Sequence, residues 1–198
     1  MLICEINVEI REIDLKNKPL DFLNKSKTKT LPILIKKNSE VIEESLEIIL
    51  WAISESKKEN VKVIYFPDSK KEDIFEIINE NDNEFKYHLD RFKYATRYQN
   101  SNEEFHFTKA IQFIKRWNEL LEKNTYFFGD NPTIADWSIW PFVRQFKIAC
   151  ESQKRTNYLE PSIKNWLDFF ENNKKYKSLM YKYELWEPNS RKNYFPYN

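Results

Sequence analysis

"FFGDNPTIADWSIWPFVRQF", residues 127–146, decides how the second half of this chain folds, because it holds the only glycine in 198 residues and sets an aspartate ahead of an almost wholly apolar run. Thr133 to Asp136 reads T-x-x-D before that run, the pattern of a capping box. In such a box the Thr133 side chain accepts from the N–H of Asp136, and the Asp136 carboxylate accepts from the N–H of Thr133. Pro132 and Trp137 stand where a hydrophobic staple would close. Since the following helix is apolar nearly all round, it is expected at the centre of a helical core, with its first turn away from water. Open donors there would be costly, so Asp136 is read as a structural group and not as an active-site acid. Gly129 supplies either a positive φ or a close backbone approach in the preceding loop. Pro141 lies inside the helix and is expected to kink it near Trp137.

Outward from this stretch the chain shows two periods. In "FTKAIQFIKRWNELLEK", Phe107, Ala110, Ile111, Ile114, Trp117 and Leu121 recur at threes and fours, the stripe of a helix packed on one side. Ile163, Trp166, Leu167 and Phe170 repeat it. Toward the N-terminus, "INVEIREID" (6–14) alternates Ile6, Val8 and Ile10 with polar neighbours, the period of a strand with one buried face. "PLDFLNKS" follows as a short helix, "LPILIKK" and "SEVIEE" as a hairpin around Lys37 and Asn38, and "EESLEIILWAI" as a helix with Leu46, Ile49, Leu50 and Ile53 on one face. Strand signals stop near residue 70. The expected organisation is an αβ domain over residues 1–56, a charged, proline-containing linker over 57–70 and an all-α domain over 71–198.

Composition narrows the function. With 41% apolar and 16% aromatic residues the chain can bury a core. The 32 Lys and Arg are interspersed with 31 Asp and Glu, so no net field gathers phosphate backbones or anionic lipid, and neither nucleic acid nor membrane is expected as a partner. Cys4 and Cys150 have neither metal-ligand spacing nor the density of a disulfide scaffold, which fits a reducing cytoplasm. His88 and His106, the only histidines, lack a second ligand three or four places away, so no metal is expected. One glycine excludes phosphate-loop, dinucleotide and nucleophile-elbow motifs.

"TLPILI" at 30–35, "EVIEESLEIILWAI" at 40–53 and "TIADWSIWPFVRQF" at 133–146 resemble the glutathione S-transferase family, bacterial and cytosolic in type, as do "NDNEFKYHLDRFKY" at 81–94 and "FFGDNPTIAD" at 127–136. The resemblance implies a thioredoxin-like α/β N-terminal domain joined to an all-α C-terminal helical domain, assembled as a homodimer. It also implies glutathione as co-substrate and a small-molecule electrophile as partner. A cis-proline at Leu31-Pro32 would turn the Leu31 backbone toward the ligand, and the Glu44-Ser45 pair at a helix start would hold its γ-glutamyl carboxylate and ammonium. Phe85, His88 and Tyr94, with Arg144, are candidates for the apolar electrophile pocket such transferases build between domains; an ion pair is the commoner fate of an arginine such as Arg144.

The chain also departs from the family pattern. The family's thiol-activating Cys, Ser or Tyr follows its first strand at the start of its first helix, whereas Met1 aligns near the end of that helix, so the N-terminal domain reads as truncated and no residue is assigned as catalytic. Cys4 falls in the last turn of that helix and is structural. Lys27 and Lys29 stand where the family often has proline and glycine. Without the central first strand, the strand over residues 6–13 lacks its partner. Either the start lies upstream of Met1, or that strand pairs with the hairpin or another protomer, or the chain is a non-catalytic binding or interaction module that kept the fold.

Overall fold

The computed structural model describes residues 1–98 and 102–196, with residues 175–177 as backbone only. The chain divides into two compact units: Met1–Lys62 together with the stretch from Lys174 onward, and Val63–Asn173. This differs from the expected 1–56, 57–70 and 71–198 division. The C-terminal stretch belongs with the αβ unit, and the presumed linker carries α3 (Val61–Tyr65) and a tight helical turn at Asp68–Lys70.

In the first unit, β1 (Val8–Ile10), α1 (Leu20–Lys25), the hairpin of β2 (Leu34–Ile35) and β3 (Val41–Ile42), and α2 (Ser45–Glu55) follow the expected order. Ser39 takes φ 67° at the hairpin tip, and β2 pairs with β3 as Leu34↔Ile42 and Ile35↔Val41. Within the chain, β1 does not pair with the hairpin. Its partner is β4 (Asn193–Phe195), running antiparallel as Val8↔Phe195, Glu9↔Tyr194 and Ile10↔Asn193. Farther along, the Trp186 N–H donates to the Glu12 carbonyl at 2.7 Å, the Arg11 guanidinium lies 4.7 Å from the Trp186 ring, and Lys192 pairs with Glu9 at 3.5 Å. A strand appears where periodicity indicated only helix, because three residues paired across the length of the chain leave no alternation long enough to read.

The second unit is helical: α4 (Lys71–Glu80) and α5 (Lys86–Lys93) joined through a wider π-type turn at Asn81–Phe85, then α6 (Glu103–Lys123), α7 (Ile134–Ser152) and α8 (Pro161–Asn172). A further short helix, α9 (Lys174–Leu179), precedes β4. Ile74, Ile77, Ile78, Phe85, Leu89 and Phe92 are buried, so one face stays inward across the π-type turn. On α6 the buried face is Ala110, Phe113, Ile114, Trp117 and Leu121 with His106 and Asn118. Asn118 Oδ1 accepts from the Ile163 N–H at 3.0 Å, so a side chain of α6 satisfies an open donor in the first turn of α8.

α7 begins with the capping box between Thr133 and Asp136. Asp136 does more than cap: fully buried, it accepts four hydrogen bonds. Oδ2 takes the Thr133 N–H at 2.8 Å and the Thr133 hydroxyl at 3.0 Å, while Oδ1 takes the Phe127 N–H at 3.0 Å and the Trp166 indole N–H at 2.9 Å. Phe127 is aimed by a tight turn in which Tyr126 N–H donates to the Gly129 carbonyl at 2.9 Å. Gly129 has φ 143°, and a Cβ there would meet nothing within 4 Å. Of the two reasons for glycine, backbone conformation is therefore the operative one. α7 runs unbroken through Pro141, so the proline does not end it.

Two stability outcomes follow. Asp136→Ala leaves the Phe127, Thr133 and Trp166 donors buried and unpaired, at about 1–3 kcal/mol each, less the relief of no longer burying a carboxylate; urea unfolding is expected to show a loss of about 3–5 kcal/mol. Thr133→Ala is expected to cost about 2 kcal/mol, the upper end for a cap, and melts within noise of the parent would refute both. Truncation after Lys182 removes β4 and Trp186, and is expected to speed amide exchange at Ile10 while leaving the α7 amides protected; unchanged exchange would show that β4 does not hold β1.

Candidate functional site

The site residues expected in the first unit lie along the loop into β2 and at the start of α2. The Leu31–Pro32 peptide is cis, and both residues are exposed. Continuing the Leu34↔Ile42 register outward sets Pro32 across from Glu44, which is the residue before α2. Glu44 and Ser45 are exposed, Glu44 makes no side-chain cap, and the chain enters α2 in an extended conformation at φ −95°, ψ 132°. Such a helix start favours a carboxylate.

The loop before Leu31 is held by a residue the sequence reading did not single out. Glu43 Oε1 accepts from the Ser26 hydroxyl at 2.7 Å, the Thr28 N–H at 3.1 Å and the Thr28 hydroxyl at 3.1 Å. The Ser26 hydroxyl accepts in turn from the Lys29 N–H at 2.8 Å, and Lys18 Nζ donates to the Lys29 carbonyl at 2.7 Å. Ser26 and Thr28 hold the Glu43 carboxyl below the ordinary glutamate range, the Ser26 hydroxyl contributing most. Lys29, which stands where the resemblance places glycine, takes φ 57°. The loop therefore keeps a left-handed residue although its side chain has a Cβ, a conformation that costs about 1–2 kcal/mol for L-residues.

The pocket residues expected in the second unit fare differently. Phe85 is a correction: it is fully buried, edge-on to Trp117 at 4.8 Å and to Phe113 at 6.0 Å, so it is core and cannot touch a ligand. Its place beside the π-type turn points it inward, which a simple helical wheel does not show. Arg144 pairs with Glu171 at 3.3 Å, beside Lys147 at 2.8 Å from the same carboxylate. Tyr94 ends α5 with the Arg97 guanidinium 3.8 Å from its ring. Neither these three nor His88 lines the groove of about 630 Å³ between α4, α6 and the following loop, whose floor includes Ile77, Trp117, Leu120 and Phe127.

His88 meets His106 across α5 and α6, with their Nδ1 atoms 2.9 Å apart. One ring must carry a proton at Nδ1 and the other a lone pair, so this contact admits one proton and not two. Both imidazoles are held below 6.5: His88 by burial first and then by His106, Lys109 and Arg91, His106 by burial first and then by Arg91. The thiols are pushed the other way. Burial raises Cys4, and raises Cys150 to about 12, so neither is a ready thiolate. Among the described residues no group of three or more His, Cys, Asp or Glu could hold a metal ion, and no helix is long and apolar enough to cross a membrane.

The family model described as the glutathione S-transferase N-terminal domain matches residues 3–59, and the one described as the glutathione S-transferase C-terminal domain matches residues 86–171. Among solved structures, the fold is similar to BphK, a bacterial glutathione transferase in a ternary complex, with TM-score 0.73 and 14% identity over 89% of this chain and 88% of that one. It is also similar to a class Gtt2 glutathione S-transferase of Vibrio parahaemolyticus, with TM-score 0.64 and 17% identity over 86% and 81%. A third likeness is to the transferase-like domain of elongation factor 1-gamma from Saccharomyces cerevisiae, with TM-score 0.65 and 12% identity over 83% and 78%. No curated protein matches the chain.

Two outcomes test this geometry. Lys29→Gly is expected to stabilise the protein by about 0.5–1 kcal/mol, the left-handed penalty less the extra chain entropy glycine loses on folding; a lowered melting temperature would contradict the strain. For the histidine pair, the folded rings titrate lower than the unfolded chain, so the unfolded state takes up protons first. Their contribution to stability is therefore complete above 6.5 and falls as pH drops through that value toward the lowered folded values. Imidazole titration by NMR, with urea unfolding on both sides of pH 6.5, checks it, and folded values at or above 6.5 for both rings would sink it.

Proposed function

The chain belongs to the glutathione S-transferase family, and from that premise we propose that it binds glutathione through its first unit and uses it as the thiol partner of a small electrophile. The observation that carries this reading is a cis Leu31–Pro32 peptide leading into β2 of the same hairpin whose other strand, β3, leads into the side-chain-uncapped start of α2 at Glu44 and Ser45. In this reading the Leu31 backbone meets the peptide part of glutathione. The α2 N–H groups and the Ser45 hydroxyl take the γ-glutamyl carboxylate, and Glu44 takes the ammonium.

The reacting sulfur in this reading is glutathione's own, because burial keeps both cysteines of the chain protonated. Conjugation then forms a bond from that sulfur to the electrophilic carbon, with loss of the thiol proton and departure of the leaving group. His88 and Tyr94 of the second unit are the residues we assign to contact with the electrophile. A homodimer in the cytoplasm is the assembly and location that accompany this reading, and light scattering at twice the chain mass is its check.

Calorimetry with glutathione tests the binding directly. Heat of binding is expected, with a rise in unfolding free energy of about 2.7 kcal/mol at a hundredfold excess over the dissociation constant, and Ser45→Ala and Glu44→Ala are expected to weaken binding. Absence of heat and of thermal stabilisation at millimolar glutathione would leave the non-catalytic interaction module as the reading.

A further inference from the structure

Resting on the glutathione reading above, we propose that Glu43 is the positioning residue of the site, fixing the cis Leu31–Pro32 loop and the Glu44–Ser45 helix start as one rigid unit through its carboxylate. The two halves of the site are far from adjacent in sequence, and something must hold them to a common geometry for a ligand to span both. Glu43 follows β3 directly and precedes Glu44, so any shift of its backbone moves the start of α2. Its side chain reaches into the loop, where Oε1 accepts from the Ser26 hydroxyl and from the Thr28 N–H and hydroxyl, and the Lys27 backbone N–H also bonds to the carboxylate.

Ser26 acts as the relay. Its hydroxyl donates to Glu43 and accepts from the Lys29 N–H, and the residue is 5% exposed, so water does not readily replace either bond. The relay ends on the one residue of the loop whose backbone is left-handed. A lysine relaxes out of φ 57° unless its neighbours over-determine the conformation, and the chain Glu43 to Ser26 to Lys29, with Lys18 on the Lys29 carbonyl, supplies that constraint. Two residues later comes the cis peptide. Glu43 thereby does through a side chain what a glycine at position 29 would do through its own backbone. Because the carboxylate is spent on the loop, it is not the group that meets the ligand's ammonium.

The test compares the parent with Glu43→Ala and Glu43→Gln, by glutathione calorimetry and by amide exchange at Thr28 and Lys29 without ligand. Since one oxygen takes the Ser26 and Thr28 bonds, glutamine retains that acceptor while removing the charge. Glu43→Ala is expected to weaken glutathione binding and to speed exchange at both amides on the order of tenfold each, with α2 amides unchanged, and Glu43→Gln to restore both to within about threefold of the parent. Unchanged exchange in Glu43→Ala overturns the proposal. So does a glutamine variant that restores exchange and still binds as poorly as alanine, because the charge would then act on the ligand itself. If the parent gives no heat with glutathione, the glutathione reading fails, and the exchange pattern alone decides whether Glu43 fixes the loop.

Discussion

A carboxylate with no access to water is tolerable only where donors surround it, and the second unit is arranged around one that meets this condition. Asp136 accepts from Phe127, Thr133 twice, and Trp166, which lie on the turn before α7, at its first residues, and on α8. Burial pushes its carboxyl above the ordinary aspartate range, and the four donors oppose that push. The bonds fix where the glycine turn sits and how α8 is rotated against α7. Phe127 then lies 5.0 Å from the Trp166 ring and 6.3 Å from Trp117, so the aromatic core closes over the polar centre. Removing the acid exposes several segments to the same loss, because a buried donor without an acceptor costs more than a hydrogen bond gains.

The first unit solves a different problem. Small two-stranded pairings have little stability of their own, and β1 finds its partner at the far end of the chain in β4. The contacts that accompany that pairing, Arg11 over Trp186 and the Trp186 N–H on Glu12, tie the tail down beyond the ladder itself. A second local conflict is the lysine at position 29, whose backbone is what a glycine would adopt freely. Glu43 and Ser26 meet that conflict with side-chain hydrogen bonds, so the composition that avoids glycine is compensated by a polar network.

Chemically the chain holds its own ionisable groups in quiet states. Both thiols are raised by burial, both histidines are lowered, and Arg144 and Lys147 share Glu171. The start of α2 is exposed and has no side-chain cap. Function and fold therefore separate along the chain in the proposed reading: the helical unit is organised around Asp136, and the αβ unit is the part proposed to take glutathione.

The sequence by itself determined the elements whose signal is local. The capping box of Thr133 and Asp136, the helical stripe through Ile114 and Trp117, the hairpin after Pro32 and the helix from Ser45 all follow from spacing and from residue types that act within a few positions. Gly129 announced a special position, and only the folded loop decided for φ over close approach. Long-range partners were decided by tertiary structure alone. The Trp166 indole on Asp136, the Asn118 amide on α8, the β1–β4 pairing, the inward turn of Phe85 and the Glu43 network each join residues distant in sequence. No periodicity encodes such pairs, because a hydrogen bond or a ring contact depends on where two elements meet in space, and a pattern read along one element carries no record of the other.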